Sequence, residues 1–395
     1  MTQQGDENYL TTAEVARRLK VKPETIYAYV SRGHLTSVRA RGRRGSLFAA
    51  EEVERLASRS VEHTGVVEGI ETELSLLQDD ELYYRGHSVR DLVETQTVES
   101  VANLLWNGQL EAVAFPAEPV LVDLARASVA VAPATARKVD QLRIAVATLG
   151  AADPLRFDLA RESVVAAARG LIGVLIEALP GPAGEGSIGG RLWPKLSTQP
   201  ARPELLDAAL ILLADHGLAV STIAARVAAS ARANLYSVVS AGLGALDGQY
   251  HGAATTLAYQ FLDRALQDPV QVLSDRLRSG ESLPGFGHRI YRQRDPRAEI
   301  LFGLMAGEPI LEQLTTVTSR VPTFPNSDLA IATMMHAYGF HPDAGEALFA
   351  IARIVGWTAH ALEEYAAPGL RFRALGVYTG REREAGLPLS GPDGG

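Results

Sequence analysis

The sequence predicts a mainly α protein of more than one domain, on three observations. Ala/Leu/Val-rich runs with helical periodicity occupy 85–106, 117–150, 157–179, 203–233, 239–267, 297–317 and 327–366. Beyond residue 61 nothing alternates long enough for a sheet, which leaves room for one small hairpin near the start of that body. The 395 residues also exceed what one ordinary core holds, so at least two domains are expected.

Composition narrows the class. A hydrophobic fraction of 47% with 21% charged residues is that of a globular protein. The chain has no cysteine, which excludes disulfides, thiolate metal sites and a cysteine nucleophile. The longest apolar tracts are interrupted by Arg169 and Glu177, and by Asp207, Asp215 and Arg226, so neither reads as a membrane span. MTQQGDENYL lacks a basic stretch followed by an apolar one, so no signal peptide is read and a cytoplasmic location is expected.

The charge is unevenly placed. Residues 1–60 hold 11 Lys+Arg against 7 Asp+Glu, a net of +4; the remainder holds 27 against 39, a net of −12, giving −8 in all. Between 17 and 44, nine basic side chains face a single acid, Glu24. A basic block on an acidic body marks a separate module with an anionic partner.

That module, residues 1–60, reads element by element. Thr11 and Glu14 form a capping-box pair opening a helix with Val15, Ala16 and Leu19 inward. Lys20-Val21-Lys22 makes a tight turn, Pro23 opens a second helix with Ile26, Tyr27 and Val30 as its apolar stripe, and Gly33 stops it. LTSVRA, the basic turn RGRRGS and LFA then outline a small hairpin, and AAEEVERLAS a closing helix. Helix, turn, helix and basic wing make a winged helix-turn-helix, and the segment from Tyr9 to about Ser58 resembles the DNA-binding domain of MerR-like and excisionase-like proteins. The resemblance implies duplex DNA as partner, with Glu24, Thr25 and Tyr27 toward base edges and Arg41, Arg43 and Arg44 on phosphate or in the minor groove.

Four motifs in the helical body carry chemistry. ADHGLAVSTIAARV holds Asp215 and His216; GALDGQYHGAA holds His251; LPGFGHRIYRQRDPRAEI holds His288 and Arg297; FPNSDLA and FAIARIVGWTAHALEE hold Asp328 and Arg353. PGPAGEGSIGGRLWP, 180–194, reads as an exposed connection. GFG is no dinucleotide fingerprint, because no strand and no G-x-G-x-x-G context precede it. His34, His63, His87, His336, His341 and His360 are read as structural, and the five-residue spacing of His336 and His341 does not suit a helical metal site.

By these motifs the chain from about Gly65 to Gly380 resembles the citrate synthase family, most specifically through G-F-G-H-x-x-Y-x-x-x-D-P-R-A. LYYRGHSVRDL and VANLLWNGQL, 82–92 and 101–110, add to the likeness. The resemblance implies a large helical domain (61–251 and 346–395), a small one (252–345) and condensation of acetyl-CoA or propionyl-CoA with oxaloacetate. It implies no cofactor beyond the acyl-CoA substrate. Asp328 matches the base, His251 the donor to the thioester carbonyl and His288 the acid acting on the oxaloacetate carbonyl. His216, Arg297 and Arg353 match oxaloacetate ligands, and Arg292 a contact for CoA phosphates. Arg371, in LRFRALG, matches an arginine supplied by the partner subunit, which implies an intertwined homodimer.

The reaction explains these residue types. A carboxylate facing a thioester methyl group must bridge a gap of roughly 16 pKa units, about 22 kcal/mol. Neutral donors at the carbonyl oxygens narrow it, and a dianionic co-substrate calls for arginines. Departures from the family are Gly217 and Ala219 after His216, Gln249 and Tyr250 before His251, Ser327 before Asp328, and Phe372 after Arg371. None removes a catalytic group. Two other readings stay open: a transcription regulator using the synthase-like body as a metabolite sensor, and an N-terminal module serving protein contacts or oligomerisation.

Overall fold

The computed structural model describes residues 9–19, 21–31, 35–38, 46–50, 52–53 and 69–372, which fall into two compact units. The first holds β1 (Tyr9–Thr11), α1 (Thr12–Arg18), α2 (Pro23–Ser31), β2 (Ser37–Val38) and β3 (Leu47–Ala49). The capping box forms as expected: the Thr11 N–H and hydroxyl both donate to Glu14 at 2.8 Å, and the Glu14 N–H returns a bond to Thr11 Oγ1. Val15, Ala16, Leu19, Ile26, Leu35, Phe48 and Val53 make the unit's own core. β3 pairs antiparallel with both β1 and β2. Tyr27 departs from the expected stripe: it is 59% exposed on α2, because Ile26 already fills the inward position. Arg41, Arg43 and Arg44, the Glu24 side chain, His34 and His63 lie outside the described residues.

The second unit begins with a small meander, β4 (Ser75–Gln78), β5 (Glu81–Tyr84) and β6 (His87–Ser88), where the sequence allowed one hairpin. Helices α3 (Val89–Thr95), α4 (Val98–Asn107), α5 (Pro119–Ala130), α6 (Lys138–Ala152), α7 (Arg161–Ala178), α8 (Ile188–Leu196), α9 (Pro203–Leu213), α10 (Val220–Ser230) and α11 (Leu235–Leu246) follow. The rest are α12 (Ala253–Ala265), α13 (Pro269–Ser279), α14 (Pro296–Leu304), α15 (Pro309–Thr318), α16 (Ser327–Ala337) and α17 (Ala344–Ala366). No helix among the described residues is long and apolar enough to cross a membrane.

Two expectations are corrected here. The supposed exposed connection contains most of α8, whose Ile188, Leu192 and Trp193 are buried; Ser187 caps it by accepting the Gly190 N–H. α13 escaped the periodicity because its sequence, PVQVLSDRLRS, is mostly polar, although Asp268 as cap and Pro269 in the first turn announce it. Several runs also break in two: 117–150 near Pro133, 203–233 at the Asp215-His216-Gly217 turn, and 327–366 at Gly339 and Pro342.

The axis of the large core is α17, buried along almost its whole length. The Trp106 indole N–H donates to Val355 O at 2.9 Å, fastening α4 to it. At Gly356 the helix meets the end of α9 so closely that an added Cβ would lie 2.4 Å from Ala214 O and 2.7 Å from Asp215 Oδ1. The Gly356 N–H donates to Ala214 O at 3.1 Å, so the contact is also a bond. Two smaller clusters, around Leu262 and Leu329 and around Phe261 and Val317, unite α12 with α15 and α16. Gly356→Ala is therefore expected to lower unfolding stability by about 1–3 kcal/mol, seen as a reduced urea midpoint at unchanged slope.

Candidate active site

The turn after α9 is built around one carboxylate. Asp215 is fully buried; its Oδ2 accepts from the Ser75 hydroxyl (2.6 Å) and the Gly217 N–H (3.0 Å), and its Oδ1 accepts from His360 Nε2 (3.2 Å). Burial works to raise this carboxyl, but His360, Arg353 and Ser75 outweigh it and hold it below its ordinary value. The buried Tyr84 hydroxyl accepts the Asp215 N–H and donates to Asp215 O, tying the turn to β5. Gly217, a departure from the family pattern, takes the left-handed φ of +60° that the turn demands. His216 thereby faces inward, its Nε2 3.0 Å from Tyr291 Oη and its ring edge-on to His288 with centroids 5.1 Å apart.

His288 and Asp328 are brought together by backbone pairing. Gly285-Phe286-Gly287 runs beside Phe324-Pro325-Asn326: the Gly287 N–H donates to Phe324 O (2.8 Å) and the Asn326 N–H to Gly285 O (2.9 Å). Gly285 has φ +84°, and a Cβ there would lie 2.8 Å from Leu329 Cβ, so both conformation and packing require glycine. Asn326, not Asp328, caps α16, accepting the Asp328 and Leu329 N–H groups. Asp328 is thus left for other work. Its Oδ1 accepts from the Thr255 hydroxyl at 2.7 Å, and burial raises its pKa against the pull of that bond and of Arg297.

The two other histidines are neutral with defined tautomers. His288 Nδ1 accepts the Ile290 and Tyr291 N–H groups (3.1 and 3.4 Å), so its proton sits on Nε2. His251 Nε2 lies 2.6 Å from Ser221 Oγ, which also accepts the Trp357 indole N–H at 3.3 Å; with the serine proton directed to Nε2, the imidazole proton sits on Nδ1. Burial, aided by Arg297 for His288 and Arg353 for His251, lowers each pKa to about 4. His216 is pushed well below its ordinary value by burial first and then by Arg297 and Arg353.

Two arginines line the same space. Arg297, buried on α14, forks onto Asp295 through Nε and Nη2 at 3.0 and 2.8 Å. Asp295 also caps α14 and accepts the Ser327 N–H. Arg353, buried on α17, donates from Nε to Leu213 O at 3.0 Å, while its Nη1 has no partner. Phe349 lies under that guanidinium (4.7 Å) and edge-on to His251 (5.5 Å). A buried cationic N–H without an acceptor is costly, and an anionic ligand would relieve it.

His216, His251, His288, Arg297, Arg353 and Asp328 are therefore linked into one cluster. Arg371 stands apart: its Nε and Nη2 bind Glu364 of its own chain at 2.8 and 2.5 Å. Arg292 is exposed on the loop after His288, where its N–H and that of Gln293 donate to Asp80 (2.7 and 2.9 Å). Asp79 and Asp80 turn β4 into β5 with φ of +52° and +58°, the two-residue hairpin geometry. Arg294 adds an ion pair to Glu81. Sequence reasoning missed Ser75 and Thr255, which lie outside the quoted motifs, and left Ser221, Phe349 and Trp357 unassigned within them, because their partners lie far along the chain. Tyr291 and Asp295 were in the quoted motif, unassigned.

Comparison with solved structures identifies the fold as that of citrate synthases. That of Thermotoga maritima matches with a TM-score of 0.66 and 25% identity over 83% of this chain and 98% of its own. That of Thermoplasma acidophilum, described as a ternary complex with carboxymethyl coenzyme A and oxaloacetate, matches in fold with a TM-score of 0.68, at 24% identity over 82% and 97%. Residues 64–373 match the family described as citrate synthase, C-terminal domain, and residues 9–60 that described as helix-turn-helix domain. A 2-methylcitrate synthase of Mycobacterium tuberculosis is 30% identical over 350 residues, 78% of this chain and 86% of its own. Citrate synthase 2 of Bacillus subtilis is 28% identical over 360 residues, 80% and 95%. The chain belongs to the citrate synthase family and is an enzyme, with a helix-turn-helix domain at its N-terminal end.

The Asp80 contact gives a test of the His288 loop. Asp80→Ala is expected to speed hydrogen exchange at the Arg292 and Gln293 amides. The Arg292 and Gln293 N–H groups hold the Asp80 carboxyl below its ordinary value. Protection in the unmodified protein should therefore persist above the usual carboxylate range and fall only as pH drops through the depressed value.

Proposed function

We propose that this protein condenses acetyl-CoA or propionyl-CoA with oxaloacetate and releases CoA with citrate or 2-methylcitrate. The observation that carries the reading is the pairing of two neutral histidines with a half-buried aspartate that does not cap its own helix and an arginine whose Nη1 lacks an acceptor. Relatives named as citrate and 2-methylcitrate synthases support it.

In this reading Asp328 takes a proton from the carbon beside the thioester while His251 Nδ1–H donates to the thioester oxygen, giving a neutral enol. The enol carbon attacks the oxaloacetate ketone, whose oxygen receives the proton of His288 Nε2. Water then cleaves the thioester and frees CoA. His216, Arg297 and Arg353 hold the oxaloacetate, and Arg292 reaches CoA phosphate. Residues 252–345 close over the remainder as a small domain; α12, α15 and part of α16 have apolar clusters of their own, which supports this, while α14 and the rest of α16 pack into the main core. The working form is a homodimer in which each chain completes the other's site with Arg371; leaving Glu364 is then part of assembly.

Thiol release from each acyl-CoA with oxaloacetate tests the activity directly, because the protein has no cysteine to add background. Asp328→Asn and His251→Ala should each remove most of kcat with oxaloacetate binding retained, whereas Arg353→Ala should raise the oxaloacetate requirement. Near-normal turnover by the aspartate variant would overturn the base assignment. With His251 and His288 titrating at about 4, both remain the required neutral donors as pH rises. The rate should therefore show no histidine limb between about pH 5 and 8.

A second function rests on the helix-turn-helix domain, with Tyr27 exposed on α2. In this reading Glu24, Thr25 and Tyr27 meet base edges of duplex DNA, and Arg41, Arg43 and Arg44 bind its backbone, so the enzyme also acts as a regulator. Binding should weaken steeply with salt, and replacing the three arginines should flatten the slope by up to about three. Selection from random duplexes that enriches no motif, with binding indifferent to that replacement, would make the module a protein-interaction domain.

A further inference from the structure

We infer that Thr255 is a positioning residue for the Asp328 carboxylate, acting through its hydroxyl and not through its packing. This inference rests on the reading of Asp328 as the base. Thr255 lies two residues into α12, four after His251, and is fully buried. Its Oγ1 donates to Asp328 Oδ1 at 2.7 Å. The side chain has little freedom to do anything else. Its Cγ2 is seated so closely against α17 that a Cβ on Gly345 would lie 2.4 Å from it, and 3.0 Å from Met335 Sδ. Threonine in a helix divides between two rotamers, and here the bond to Asp328 on α16 and the close approach of Gly345 on α17 favour the one that points the hydroxyl at the carboxylate.

The arrangement divides the carboxylate. With Oδ1 occupied by Thr255 and the helix start capped by Asn326, Oδ2 is the oxygen available to a substrate proton. The neighbouring Thr256 follows the same pattern, donating at 2.6 Å to the buried Glu346, which Arg137 also binds. Consecutive threonines thus address two carboxylates on different helices, one paired with an arginine and one not. The charged groups facing Asp328 are Arg297 and Asp295, which act in opposite directions. The Thr255 hydroxyl is the direct hydrogen bond that favours its ionised form.

Two substitutions separate hydroxyl from packing. Thr255→Val keeps the methyl and the volume but puts a second methyl in place of the donor; Thr255→Ser keeps the donor and loses the methyl. The full-length protein would be assayed for CoA release across pH, with Asp328→Asn in parallel. Thr255→Val is expected to lower kcat about 10-fold to 100-fold with the KM for oxaloacetate unchanged. Without the bond the carboxyl titrates higher, so the acid limb, where rate is lost as pH falls, should move up by about one unit. Thr255→Ser should recover the original limb. If the valine variant does not fold, Thr255→Ala against Thr255→Ser makes the same comparison, both lacking the methyl. A limb unmoved by valine or alanine, or moved equally by serine, overturns the inference. Activity surviving in Asp328→Asn instead overturns the reading on which it rests.

Discussion

The burial of Asp215 is the constraint on which the site depends. A carboxylate with no exposed surface must have every oxygen answered, and here the answers come from β4, from the turn's own backbone and from α17. Each of those bonds fixes a different element relative to His216. The small meander, whose strands bury Leu82 and Tyr84 in the main core, thus also aims a histidine: Ser75 binds the carboxylate and Tyr84 the backbone on either side of it.

Behind Asp215 the charges continue inward. Arg226 donates from Nη1 to His360 Nδ1 at 2.5 Å, which leaves the histidine's proton on Nε2 for Asp215. The same guanidinium binds Glu363 and Glu364, and Glu364 in turn holds Arg371. A chain of ion pairs and hydrogen bonds therefore runs from the last described residues to the turn bearing His216. Such pairs seldom add net stability once desolvation is counted, but removing one member leaves a buried charge alone, so the set holds its geometry as a unit. Arg226 keeps one buried nitrogen, Nη2, without a partner, as Arg353 does at Nη1, but Arg226 has carboxylates on its other nitrogens whereas Arg353 has only the Leu213 carbonyl.

The histidines follow the same rule in reverse. Burial beside arginines removes their charge, and the hydrogen bonds on one ring nitrogen decide where the remaining proton sits. The donors are thereby prepared before any substrate arrives. Preorganised neutral donors stabilise developing negative charge without first having to reorient, which is where much of the catalytic effect of such sites originates.

By itself the sequence determined the mainly helical body, the capping box at Thr11 and Glu14, the basic N-terminal module and the residues of the main cluster. These are local or ordered signals: periodicity, caps, and motifs whose letters lie side by side. It misread what depends on distant partners. The segment at 180–194 looked exposed because Gly and Pro dominate it, yet Ile188, Leu192 and Trp193 are covered by packing that no local pattern announces. At the start of α16 it is Asn326, one of three polar residues side by side, that takes the capping task, and only the folded chain decides which. The tautomers of His251 and His288, the pairing of Arg371 with Glu364 and the grip of Thr255 on Asp328 were decided by tertiary structure alone. A hydrogen bond between residues 30 or 73 positions apart is set by how helices pack, and the sequence records the two partners without recording their meeting.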